Sequence, residues 1–176
     1  MDLWHDISLG DEAPDVLNAI IEIPKGSNVK YEIDKDTGLI SVDRFLHSAV
    51  YYPGDYGFFP RTYCDDGDPL DVLIITNIPI LPGTLVRVRP IGLLKMIDGG
   101  EEDDKIIAVY NDDPRFSDIK DIKQLSQHIS KEIKHFFATY KALENKEVEV
   151  KDVQGLKEAK ASIKHSIALY DKNFSK

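Results

Sequence analysis

The hydrophobic period of this chain changes once, near Asp118, and that change restricts the fold more than any other feature. From about Leu17 to Val109 the apolar residues come in short β-branched runs separated by Gly, Pro and Asp, the pattern of successive strands. Beyond Asp118 they recur every three or four residues, at Ile122, Leu125, Ile129, Ile133, Phe136, Phe137, Tyr140 and Leu143, as on one face of a single helix. Leu156, Ala159, Ile163, Ile167 and Tyr170 repeat that stripe, with Val148 to Val153 as a strand between the two. Strands followed by helices predict an α+β fold in which helices cover a mainly antiparallel sheet or small barrel.

Within the first half, Ile20 to Ile23, Val72 to Thr76, Leu85 to Val88, Ile91 to Met96 and Ile106 to Val109 read as strands. Tyr31 to Asp34 and Leu39 to Val42 flank the polar turn Lys35-Asp36-Thr37-Gly38 and predict a hairpin. Pro90 marks a break, a bulge or a strand edge. A length of 176 residues fits one domain over residues 1–176.

The chemistry concentrates in Asp66-Gly67-Asp68-Pro69-Leu70-Asp71, three carboxylates in six residues on a bend that Gly67 and Pro69 stiffen. Like charges crowded in this way favour a bound cation. Hard divalent ions such as Mg²⁺ prefer carboxylate oxygen and use few protein ligands, leaving room for water and phosphate. A second acidic group, Asp98 with Glu101, Glu102, Asp103 and Asp104, is either a solvated loop or the partner of the first. Lys30 and Glu32 project from one face of their strand and Tyr31 from the other. Arg44 and the Tyr140-Lys141 pair could grip an anion, or could be a surface ion pair and a helix-end cation. The loop from Tyr51 to Pro60 crowds aromatics whose ordinary role is packing.

Other classes lack their marks. The formal charge of −9, from 31 acidic and 22 basic residues, argues against general affinity for nucleic acid or an anionic membrane. Lone Cys64 excludes an internal disulfide and suits the cytoplasm. The start Met1 to Asp6 has no signal-peptide character and no apolar run is long enough to span a bilayer, so a soluble protein is expected. No phosphate-loop, nucleophile-elbow or His-Glu-x-x-His motif occurs, and His5, His47, His128, His135 and His165 are too dispersed for a zinc site. The Asp66 turn does not follow the EF-hand pattern.

From Ile20 to Leu143 the chain resembles the family I soluble inorganic pyrophosphatases of the compact bacterial type. The resemblance lies in Ile21-Glu22-Ile23-Pro24, Lys30-Tyr31-Glu32-Ile33-Asp34, Val42-Asp43-Arg44-Phe45, Tyr52-Pro53 with Tyr56-Gly57, and Asp66-Gly67-Asp68-Pro69-Leu70-Asp71-Val72. It continues through Leu94-Lys95-Met96 with Asp98, Asp103 and Lys105, then His135-Phe136-Phe137 with Tyr140-Lys141. It implies a five-stranded antiparallel, OB-like barrel flanked by two helices, Mg²⁺-dependent hydrolysis of pyrophosphate to two phosphates, and a homohexamer. It further implies metal at Asp66, Asp71, Asp98 and Asp103, with Glu22 and Glu32 helping to hold the ions that arrive with substrate. Asp68 would be the general base. Lys30, Arg44, Lys105, Tyr140 and Lys141 would hold phosphate oxygens, and Tyr52 and Tyr56 would line the cleft. Gly99 stands where the bacterial pattern has an acid beside Asp98, a loss that Glu101 or Glu102 would have to make good. The alternatives are a barrel that binds divalent metal without turnover, and an enzyme for a nucleotide or polyphosphate.

Overall fold

The computed structural model describes residues 2–174. Its strands are β1 (Leu17–Ile23), β2 (Val29–Ile33), β3 (Ile40–Phe45), β4 (Asp55–Phe58), β5 (Asp71–Ile75), β6 (Leu85–Asp98), β7 (Glu101–Glu102), β8 (Lys105–Tyr110) and β9 (Val148–Gln154); the helices are α1 (Gln127–Thr139) and α2 (Leu156–Phe174). The result is a mixed α+β fold, mostly sheet. β2 and β3 form the expected hairpin, with Gly38 at φ +71° in its turn. The remaining strands pair in the order β1-β4-β5-β8-β6, and β6 also pairs with β1, so the path of hydrogen bonding returns to its start.

That closed path corrects the antiparallel expectation. Five strands in a ring cannot alternate direction at every step, so one neighbouring pair must run parallel, and here it is β5 with β8. Strand β6 is long enough to serve several partners: it meets β1 through Leu85 to Val88, β8 through Val88 to Leu94 and β9 through Leu93 to Asp98. Pro90 does not split it; the register slips between Pro90 and Gly92 instead, a bulge that accommodates the missing N–H.

Alternation along the strands builds two cores. Leu73 and Ile75, Ile107 and Val109, and Leu94 and Met96 pack with Ile133, Phe136 and Phe137 of α1. Val72 and Ile74, Ile106 and Ala108, and Val88 and Leu93 pack with Ala159 and Ile163 of α2. The first helix is shorter than its stripe. Ile122–Gln124 is a 3₁₀ turn, Leu125 is extended at ψ 162°, and Ser126 starts α1 afresh by accepting from the His128 N–H at 3.3 Å. Ile122, Leu125 and Ile129 still reach the core, so the spacing located the buried face although the helix is interrupted. Leu143, counted in that stripe, lies in a later 3₁₀ turn and is exposed.

Candidate active site

The α1-facing stripe of three strands ends in charge. Asp71 precedes Leu73 and Ile75, Lys105 precedes Ile107 and Val109, and Asp98 follows Leu94 and Met96. The parallel pairing sets Asp71 directly beside Lys105. All three line one cavity of about 440 Å³, and every residue singled out above for metal, base or phosphate lines it too: Glu22, Lys30, Glu32, Arg44, Tyr52, Tyr56, Asp66, Asp68, Asp103, Tyr140 and Lys141. The hairpin brings Lys30, Glu32 and Arg44, the acidic turn brings Asp66 and Asp68, and the chain leaving α1 brings Tyr140 and Lys141.

Opposite charges interleave within the cavity. Lys105 is buried, with Nζ 2.5 Å from Asp71 Oδ2 and bonded also to Asp103 Oδ1. Burial alone would lower its pKa, but the carboxylates of Asp71 and Asp103 overcome this and hold it above its ordinary value. Lys141 donates to Asp98, and Lys30 to Glu32, with Asp43 3.1 Å from Lys30 Nζ. Arg44 Nε lies 3.4 Å from Glu144 Oε1, yet Nε and Nη2 are buried without a hydrogen-bond partner. Its charge is met by Glu144 and Asp43, which leaves the Nη2 donors available to an anion in the cavity.

The acids carry the mark of crowding. Burial pushes Glu22 up to about 8, although its Oε1 accepts from the Ile33 N–H at 3.0 Å. Burial likewise pushes Asp66 up to about 6, opposed by the Asp68 N–H and reinforced by Asp103, Asp71 and Asp68. Asp103 is raised by burial against the pull of Lys105. Such a set of hard oxygen donors, disfavoured as bare anions, fits a divalent cation. Among the described residues no three His, Cys, Asp or Glu side chains converge closely enough to hold a metal ion by themselves.

The aromatic loop divides its labour. Tyr52 and Tyr56 are packed in the core and still line the cavity, where burial raises both phenols well above their ordinary range. Tyr51 is exposed. The second acidic group divides as well: Asp98 and Asp103 face the cavity, whereas Asp104 pairs with Lys95 at 2.8 Å, and Glu101 and Glu102 form exposed β7. Neither glutamate lines this cavity, but Glu102 lines an adjoining one together with Asp66, Asp71 and Asp103. Sequence reasoning missed Asp2, Leu3, Trp4, Asp34 and Lys35 as cavity walls. The sequence places Lys35 in a polar turn, and nothing local in it links Trp4 to this site.

The family profile described as Pyrophosphatase, inorganic pyrophosphatase, matches residues 19–171. The chain belongs to the inorganic pyrophosphatase family. Soluble inorganic pyrophosphatase 3 of Arabidopsis thaliana is 56% identical over 167 residues, covering 95% of this chain and 77% of that protein. Soluble inorganic pyrophosphatase 2 of Chlamydomonas reinhardtii is 52% identical over 171 residues, 97% of this chain and 89% of that protein. The crystal structure of the inorganic pyrophosphatase of Thermus thermophilus superposes with a TM-score of 0.93 at 44% identity, covering 97% of this chain and 99% of that one. This pyrophosphatase family member therefore matches the bacterial chain in extent, while its identity to the longer Arabidopsis protein is higher.

Proposed function

We propose that this chain hydrolyses inorganic pyrophosphate to two orthophosphates with Mg²⁺, using Asp68 as the general base. The observation that carries the reading is the single cavity in which Lys30, Arg44, Lys105 and Lys141 interleave with Asp66, Asp68, Asp71, Asp98 and Asp103. A surface built only to hold cations gains nothing from four cations of its own; a site for a metal-bound, multiply charged anion needs both signs.

Asp66, Asp71, Asp98 and Asp103 would hold metal, with Glu22 and Glu32 assisting as substrate arrives. Bound there, Mg²⁺ would supply charge neutralisation at the phosphoryl oxygens and a water acidic enough to attack near neutral pH. Asp68 would take the proton from the attacking water. Lys30, Arg44, Lys105 and Lys141, with the Tyr140 hydroxyl, hold the phosphate oxygens and offset charge as it moves onto the departing phosphate, so the chain contributes positioning and electrostatics and no covalent nucleophile. Tyr52 and Tyr56 form the wall.

The closed path of strand pairing supports an OB-like barrel. Because β6 contributes to both cores, we read residues 1–176 as one domain. Self-association to a hexamer and a cytoplasmic location complete the reading, the latter supported by free Cys64. Among the described residues no helix is long and apolar enough to cross a membrane.

Phosphate release by the purified chain tests the activity. Pyrophosphate with Mg²⁺ should give fast release, and EDTA should abolish it. Ca²⁺ in place of Mg²⁺ should give little, because its longer and looser coordination misplaces the attacking water. ATP should be a poor substrate. A folded protein that releases phosphate under none of these conditions is a metal-binding module, and the proposal fails.

A further inference from the structure

Lys35 and the N-terminal turn have no part in the roles assigned so far, yet both line the cavity. Trp4 is fixed from several sides. Its Nε1 donates to the Thr62 carbonyl at 2.8 Å, and its own carbonyl accepts from the Arg61 N–H at 2.9 Å. The indole stacks on His5 and Tyr63 and meets Phe174 edge to face. Lys35 Nζ stands 4.9 Å from the centroid of this anchored ring and 2.9 Å from Asp68 Oδ1.

Both partners of that ion pair are mostly exposed, 65% for the Lys35 side chain and 62% for Asp68. An exposed pair of this kind is weak and readily exchanged. The other cations of the cavity differ: Lys105 is buried between two carboxylates, and Lys141 is largely enclosed against Asp98. Lys35 alone among them reaches the carboxylate read here as the base. A phosphate oxygen of a multiply charged anion competes well against one solvated carboxylate for an ammonium group.

We propose that Lys35 is a substrate-binding residue, which leaves Asp68 for a phosphate oxygen when pyrophosphate enters. Trp4 is a positioning residue, its ring holding the ammonium group at the cavity mouth through cation–π attraction. This rests on the pyrophosphate reading of the cavity.

The test uses the full chain with Mg²⁺. Lys35→Gln should raise KM for pyrophosphate about five- to tenfold with a smaller change in kcat, the pattern of a lost binding contact. Lys35→Arg, which keeps the charge, should restore most of the affinity, and Trp4→Leu should raise KM less than Lys35→Gln does. Trp4 is the one tryptophan of the chain, so its emission reports the contact directly. Saturating methylenediphosphonate, a non-hydrolysable analogue, should change that emission in the wild type and leave it nearly unchanged in Lys35→Gln. A KM in Lys35→Gln within about twofold of wild type, or equal emission responses in the two proteins, overturns the proposal. Absence of pyrophosphate hydrolysis by the wild type would instead overturn the activity, which the same assay reads separately.

Discussion

Asp68 differs from its neighbours in what holds it. Asp71 and Asp103 are tied to buried Lys105 and Asp98 to Lys141, while Asp68 keeps an exposed carboxylate whose one ion pair, to Lys35, is open to exchange. A base must have a free oxygen at the moment of proton transfer, which sets Asp68 apart from Asp71, Asp98 and Asp103 and is consistent with the proposed role. Asp68→Asn keeps the shape and the metal ligands and loses basicity. Turnover should fall by about 100-fold or more, with Mg²⁺ affinity by calorimetry close to wild type; turnover within a few-fold of wild type at saturating Mg²⁺ would remove Asp68 from the role. The acidic cluster was legible in the sequence because Asp66 to Asp71 is a local motif, while the role proposed for Asp68 within it came only from the family resemblance. Lys35 was not legible, since the contact that gives it meaning spans 33 positions and depends on how the hairpin folds over the turn.

At the scale of elements, the strand least visible in the sequence is the one with the tightest fit. Gly and Pro made the stretch from Tyr51 to Pro60 read as a loop, but Asp55–Phe58 is β4, paired on both sides, with Gly57 opposite Ile21 on β1 and Val72 on β5. The glycine is there for proximity. A Cβ at position 57 would stand 1.8 Å from the Ile20 carbonyl oxygen, against backbone that cannot move without disturbing β1. Gly57→Ala should destabilise the fold by about 3 kcal/mol, at the upper end of overpacking effects, and should lower activity because Tyr56 beside it lines the cavity. Urea denaturation measures the first effect, and a midpoint indistinguishable from wild type would show that β1 and β4 separate easily. Hydrophobic periodicity identified most of the buried faces, but Leu39, Ile40 and Val42 around β3, Leu85 at the start of β6 and Leu143 beyond α1 are exposed. It did not reveal the interruption at Leu125 and Ser126, because the local backbone there departs from the helix while the side chains continue to fill the same core.

For the whole molecule, net charge and surface apolarity pull in opposite directions. Leu39, Ile40, Val42 and Phe45 are exposed on and beside β3, and Ile78, Leu81 and Leu85 on and beside the connection from β5 to β6. The two sets adjoin, since Ile40 Cδ1 would lie 3.2 Å from a Cβ at Gly83. An apolar surface of this extent is uncommon on a chain that remains alone in water and supports burial between copies. A formal charge of −9 on each chain opposes that association and salt screens it, so assembly should strengthen as ionic strength rises. For the hexamer that the family resemblance implies, sedimentation should give about six times the chain mass at moderate salt, in the closed symmetry usual for homo-oligomers. Leu81→Lys adds a desolvation cost to any contact there and should shift the distribution towards smaller species, with the circular dichroism of the chain preserved. A wild-type monomer at high salt and high concentration would refute the hexamer. An unchanged assembly in Leu81→Lys would keep the hexamer and move its contacts away from this face.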